Sequence, residues 1–399
     1  MIGTRHRPCR GVQGYAVSIA RMVDLPALAP ALARLERTAL ESHPFFGPAA
    51  LEASRTVLPE VRAARLLLVA DAAGELAACL PLRPTLPGLL PRPVEPLDHP
   101  YCFLRAPLVR AADAERALAA LLEGLGRLEL GGPALRLPDV PEGPLLEALH
   151  RAAAERGARL VETGRRARAL MVPAACAETF LAGALPRKRR KWLARLHGRL
   201  ARIGAPVLEV IDRPAGLEAA IARFLELEAA GWKGRAGTAL AVAGHARFLQ
   251  QLAGELAPTG RLSVPVLRLG ERPLAMLVCL DSAGPEGTSY LFKIAYDEAF
   301  ARFAPGVLLV VEYTRWRHEQ GLRAPVDSCA RRGHALFERL WPGRRRLVDL
   351  LVLPPTPAGR LAAPLLRGLL RLRARWRRAA GASAWSHRRV ADLPRGRGA

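Results

Sequence analysis

Apolar positions along the chain follow two rhythms, and their order sketches the architecture. Leu28, Leu32, Leu35 and Ala39 recur at helical spacing and predict a helix over 25–41. A second helix is expected over 49–64, and YAVSIARM (15–22) reads as a strand ahead of both. ARLLLVAD (64–71), GELAACLPLRP (74–84) and YCFLRAPLV (101–109) are strand-like, the first two joined as a hairpin near Gly74. Helices at 113–127 and 143–156, with short strands near 134–138 and 158–172, close this half.

The second half repeats the grammar. Pro186 opens a helix over 187–203, and Gly204 ends it. PVLEVID (206–212) is a strand, and helices follow at 215–230 and 242–256. RLSVPVLRLG (261–270) and PLAMLVCLD (273–281) form a second hairpin, with TSYLFKIAYD (288–297) as the next strand. A helix over 307–320 stops at Gly321, and strands are expected at 324–330 and 345–353. The shared order of elements points to duplication of one α/β unit. The expected division is a disordered leader (1–14), an N-terminal domain (15–173), a C-terminal domain (174–355) and a basic tail (356–399).

Length and composition suit this picture. The 399 residues fit two domains of ordinary size, and 50% hydrophobic residues allow a sizeable core. Lys and Arg number 60 against 36 acids, a formal net charge of +24, which favours anionic partners without choosing among them. Only four of the basic residues are Lys (Lys188, Lys191, Lys233, Lys293), and Asn is absent from the chain, a bias we read as GC-rich coding. The six cysteines are far apart, with no CxxC and no zinc spacing, so free thiols and no metal are expected. No apolar run approaches the roughly 20 residues of a membrane span, and MIGTRHRPCRGVQGY lacks an apolar signal core. A cytoplasmic protein is expected.

The segment from Phe224 to Leu353 carries LELEAAGWKGRAGTAL, LFKIAYDEAFARFAPGVLLVVEYTRW and GLRAPVDSCA. In combination these resemble the acyltransferase domain of the CelD/BcsL family, part of the GNAT superfamily and near the two-domain FemABX aminoacyl transferases. The resemblance implies an α/β (α+β) fold of two tandem GNAT-like domains, with mixed, mostly antiparallel sheets flanked by helices. It also implies acetyl-CoA or another acyl-CoA as the donor, and an amine or sugar acceptor, in cellulose, exopolysaccharide or envelope metabolism.

Acyl transfer from a thioester needs proximity, a base, carbonyl polarisation and a proton for the leaving thiolate. A helix start attracts phosphate through its free amides and dipole. Arg302, Pro305, Gly306 and Val307 sit where such a start is expected, although of the usual GNAT signature only R-x-x-x-G stands here. Asp297 and Asp327 are the first choices for base or anchor, or else caps and partners of Arg. Tyr296 and His334 are further acid/base candidates, with a surface histidine the first reading of His334. Trp232, Lys233, Lys293 and Glu228 are expected at the substrate end. Lys293 and Asp297, four apart, would share a strand face unless a bulge intervenes.

Two basic stretches suggest macromolecular partners. PRKRRKWLARLHGRLARIG is a helix with one charged face, either solvated or RNA-binding, with tRNA the ligand under a FemABX-like reading. In the tail, Leu365, Leu369, Leu372 and Trp376 oppose several Arg, so 361–378 would suit an anionic membrane surface. A peripheral location at the inner face of the membrane, or a non-catalytic scaffold there, follows as the alternative.

Overall fold

A computed structural model of the chain describes residues 9–10, 14–84, 92–127, 134–284, 287–331, 333–355 and 368. The expected basic tail, apart from Gly368, and most of the expected leader lie outside the described residues. Within that leader, β1 (Cys9–Arg10) pairs with β2 (Ala16–Arg21). Then come α1 (Leu25–Thr38), α2 (Pro48–Val57), the short α3 (Pro59–Arg62), β3 (Arg65–Ala70), β4 (Leu76–Leu82) and β5 (Leu108–Val109). The next elements are α4 (Ala114–Arg127), β6 (Leu135–Pro141), α5 (Pro144–Glu155) and β7 (Arg159–Met171). After them run α6 (Ala177–Ala184), α7 (Arg187–Ala201), β8 (Pro206–Ile211), α8 (Pro214–Ala230), α9 (Trp232–Arg235) and α10 (Ala246–Leu256). The chain continues through β9 (Leu262–Leu269), β10 (Arg272–Asp281), β11 (Ser289–Tyr296), α11 (Pro305–Glu319), β12 (Val326–Asp327), α12 (Ala335–Leu340) and β13 (Gly343–Leu353). Several helices begin with Pro at the first position (Pro48, Pro144, Pro214, Pro305), where its missing N–H costs nothing.

The fold is α/β, with mixed, mostly antiparallel sheets flanked by helices, as the sequence predicts. The smaller sheet runs β1-β2-β3-β4-β5 and the larger β6-β13-β7-β12-β11-β10-β9-β8. Among the described strands, β11 and β12 make the one parallel pair. Two strands differ from expectation in their membership. β6 and β7 were expected to close the N-terminal half, yet both hydrogen-bond to β13 in the larger sheet. A division at 173/174 therefore cuts that sheet. Two strands are also shorter than expected. Only Leu108–Val109 of 101–109 pairs, because Tyr101 and Phe103 turn to pack on rings of the second half. β12 stops at Asp327 because Cys329, at φ 50°, turns the chain out of the sheet.

One face of the larger sheet packs on α6, α7, α11 and α12, through Leu196, Leu309, Tyr313 and Trp341. Its other face shares a core with α8, α10 and the whole N-terminal half. Aromatic rings stitch that seam: Phe45 meets Tyr290 at 5.1 Å, Phe103 meets Phe292 at 5.6 Å, and Tyr101 stacks on Phe248 at 4.6 Å. Such pairs add about 0.5–1.5 kcal/mol each beyond burial.

Two buried histidines lie beneath the seam. His43 holds the Ala106 carbonyl at 3.0 Å and His99 the Ser54 hydroxyl at 3.2 Å. Burial lowers their pKa values from 6.5 to about 3 and about 4. Both stay neutral in the fold, whereas the unfolded chain takes up protons below pH 6.5. The stabilisation is complete above that pH and is lost progressively as pH falls toward 4. Urea melts at pH 7.5 and pH 5 should differ by about 2 kcal/mol per histidine; equal stability at the two values would contradict the assignment.

Candidate functional site

The parallel pairing of β11 and β12 is brief: Ser289 faces Val326 and Tyr290 faces Asp327. Beyond those pairs β12 turns away while β11 continues to Tyr296. The edge of β11 is thereby left open, and Ile294 directs its carbonyl into the opening. α11 starts just below. Its N-cap, Ala304, is left-handed (φ 49°, ψ 53°) and supplies no side-chain cap. The amides of Val307 and Leu308 bond the Ala304 carbonyl at 2.9 and 3.1 Å, and that of Gly306 has no partner among the described residues. A Cβ on Gly306 would point at Ile294 and Leu336, so glycine leaves room there.

The opening is a pocket of about 430 Å³. Tyr296, Pro305, Gly306, Val307, Trp232 and His334 all line it, as do Lys233 and Glu228. The structure thus gathers eight of the residues singled out from the sequence. Tyr296 is half-buried, and burial raises its phenol pKa, so it stays protonated. His334 stands at the rim, where partial desolvation lowers its imidazole pKa and favours the neutral ring. Trp232 is 50% exposed, with its amide donating to Glu298 at 2.5 Å.

Glu228 is the electrostatic centre. Its carboxylate is sealed from solvent, takes Lys233 and Lys293 at 3.1 Å each on one oxygen, and accepts the Leu240 amide at 2.9 Å on the other. Lys233 also donates to the Ile294 carbonyl at 2.5 Å. Burial lowers the Lys233 pKa, with Glu228 opposing that fall. The Trp-Lys-Gly sequence has a steric cause. A Cβ at Gly234 would collide with the Ala229 carbonyl, so only glycine lets α9 fold back on α8 and aim Lys233 at Glu228.

A bulge sets Lys293. The β10/β11 register shifts so that Phe292 has no opposite residue, and Phe292 and Lys293 both face the N-terminal half. The Lys293 ammonium lies 5.7 Å from the Tyr101 ring, whose hydroxyl meets His245 at 2.7 Å. Lys293 pairs with Glu228 and not with Asp297, because Asp297 stands past the end of β11 at Tyr296, where its side chain caps the next turn and takes Arg272. Tyr101 and His245 were not foreseen; nothing in their local sequence marks them.

Three predicted residues stand elsewhere. Asp297 turns outward, pairs with Arg272 at 2.6 Å and caps the turn after β11 by accepting the Ala299 amide at 2.9 Å. Asp327 is fully buried between Arg168 (2.6 Å) and Arg345 (3.4 Å), away from the pocket. Arg302 is exposed and lies over the Phe303 ring at 4.9 Å. No group of three or more His, Cys, Asp or Glu among the described residues is placed to hold a metal ion. No helix among them is long and apolar enough to cross a membrane.

Residues 187–329 match the family model described as an acetyltransferase (GNAT) domain. Among solved structures the chain is similar to FemX, at 12% identity and a TM-score of 0.53, covering 85% of this chain and 98% of that one. It is also similar to a conserved protein of unknown function from Bacteroides thetaiotaomicron VPI-5482, at 10% identity and a TM-score of 0.51, covering 85% and 99%. At these identities the likeness is one of fold. No curated protein matches the sequence.

Proposed function

We propose that the protein is a GNAT acyltransferase that takes its acyl group from an acyl-CoA bound between β11 and the start of α11, and passes it to an amine or sugar hydroxyl. One observation carries the reading. An uncapped helix start, with an open Gly306 amide, faces the unpaired edge of a strand across one pocket. Phosphate is favoured at the first feature, and an extended amide-bearing arm at the second. The tandem arrangement of two GNAT-like units and the CelD/BcsL type, with a role in exopolysaccharide or cellulose assembly, are the finer form of this proposal.

The residues divide the work. Gly306, Val307 and the α11 dipole hold the donor's phosphates. The Lys233–Glu228–Lys293 cluster fixes the open edge of β11. The acceptor nitrogen or oxygen bonds to the thioester carbon as the carbon–sulfur bond breaks. Neutral His334 accepts the acceptor's proton, and the Tyr296 phenol supplies one to the departing thiolate.

Acetyl-CoA at about 100 times its Kd should stabilise the fold by about 2.7 kcal/mol, read as a rise in Tm. Gly306→Leu, whose side chain enters the pocket, should abolish that rise and leave the unliganded Tm unchanged. Tyr296→Phe should lower kcat with little change in the donor KM. A protein that ignores acetyl-CoA would defeat the donor assignment. The exposed cations of α7 (Arg187, Lys188, Arg190, Lys191, Arg195 and Arg199) favour a second reading, an aminoacyl-tRNA donor. Stabilisation by charged tRNA and not by acetyl-CoA would select it.

A further inference from the structure

A second concavity, of about 690 Å³, lies on the other side of the chain that follows β12. Its walls are Arg166 and Arg168 of β7, Asp139 near the end of β6, the loop around Arg105, and Cys329 to Arg331. The two pockets share a partition. Cys329, Ala330 and Arg331 face this one, while His334 and Leu336 face the donor pocket. Phe103, also in the lining, touches Phe292 at 5.6 Å, beside the bulge that carries Lys293.

Backbone strain marks the same places. Among the described residues, three that are not glycine have positive φ: Asp139 (62°), Ala304 (49°) and Cys329 (50°). Ala304 lines the donor pocket, and the other two line this one. Such conformations are costly for residues other than glycine, and they concentrate where a site must be shaped. Both strained turns are held by carboxylates. The Asp139 amide donates to Asp349 at 3.0 Å, and the Cys329 amide to Asp327 at 2.9 Å.

Four guanidinium groups meet two carboxylates in this lining. Arg105 pairs with Asp98 at 2.8 Å and with Asp139, and Arg166 pairs with Asp139 and Asp349. Arg168 is committed to Asp327 and the Phe103 carbonyl. Arg331 is exposed and has no ion-pair partner among the described residues. Arg166 keeps about a third of its side chain in solvent (36%). Planar forked donors of this kind match carboxylate and phosphate oxygens in pairs.

We propose that this second pocket holds the anionic end of the acceptor, a carboxylate or phosphate taken by Arg331 and Arg166, while the acceptor's amine or hydroxyl reaches past the partition to His334 and the thioester. This rests on the acyltransferase reading, since an acceptor presupposes a donor across the partition. The test is calorimetry on the full chain with three probes: glucosamine, glucosamine 6-phosphate and a carboxylate-bearing amino sugar. At least one anionic probe should bind 10-fold or more tightly than glucosamine, and which one does so separates phosphate from carboxylate. Arg331→Gln, at an exposed position, should weaken that binding about 10-fold, and Arg331→Gln/Arg166→Gln further. The acetyl-CoA Tm shift should persist in both variants, which shows that they are folded. Equal binding of neutral and anionic probes, or anion binding untouched in the double variant, would overturn the proposal while leaving the donor reading intact. Loss of the acetyl-CoA shift in the parent protein would strike the donor reading and the acceptor role with it, whereas the anion selectivity of the pocket is read separately, because probe binding is measured without donor.

Discussion

Glu228→Gln is expected to destabilise the protein by about 3–5 kcal/mol and to slow turnover of the folded fraction by about 100-fold. The carboxylate is sealed from solvent and is the counter-charge for both Lys233 and Lys293. Glutamine keeps the shape and can still accept the Leu240 amide. It leaves two partly buried ammonium groups facing each other with no anion between them. The turnover loss follows separately, because Lys233 holds the Ile294 carbonyl at the open edge of β11. Urea denaturation reads the first effect and single-turnover kinetics the second. Adding Lys233→Met should restore part of the stability, since the cost comes from an unpaired charge and not from lost contacts. If the single variant melts like the parent, the cluster is not the brace described here.

Asp327→Asn is expected to cost a similar amount, about 3–5 kcal/mol, with a different functional signature. Its carboxylate is the shared partner of Arg168 and Arg345, both 9% exposed. Arg345 reaches on to Glu41, so the network joins β7, β12 and β13 to the N-terminal half. Removing the charge leaves buried Arg168 without the carboxylate it pairs with and Arg345 with Glu41 alone, at the wall of the second pocket that Arg168 lines. The Tm should fall steeply, acceptor KM should rise, and the acetyl-CoA Tm shift of the folded fraction should remain. A large drop in acetyl-CoA affinity would instead mean that the two pockets are coupled through this aspartate.

Local signals in the sequence carry much of the helix and hairpin pattern. Pro186 and Gly204 bracket α7, the two hairpins stand where alternation placed them, and the Ala-Pro-Gly stretch does begin α11. The residues around the pocket beside β11 were legible because Trp232, Lys233, Tyr296 and the helix start sit at the ends of elements, where side chains reach a cleft. The misreadings share one cause. Pairing between strands far apart in sequence leaves no local trace, so β6 and β7 looked like part of the first half. Lys293 and Asp297 are four apart, but β11 ends at Tyr296 and Asp297 caps the turn beyond it, so the shared-face argument does not reach that residue. Asp297 and Asp327 had the right residue type near the right strands. Which arginines would claim them depended on three-dimensional neighbours, Arg272 and Arg168, that spacing cannot supply.

The position of β13 also bears on how the chain is made. This strand, from Gly343 to Leu353, lies between β6 and β7, which were translated about two hundred residues earlier. While the ribosome is still synthesising the segment between them, both earlier strands wait with bare hydrogen-bonding edges, a state prone to wrong partners. Closure of the larger sheet therefore waits for β13 to emerge, and shielding of that gap by a chaperone would be most useful just before this strand leaves the exit tunnel.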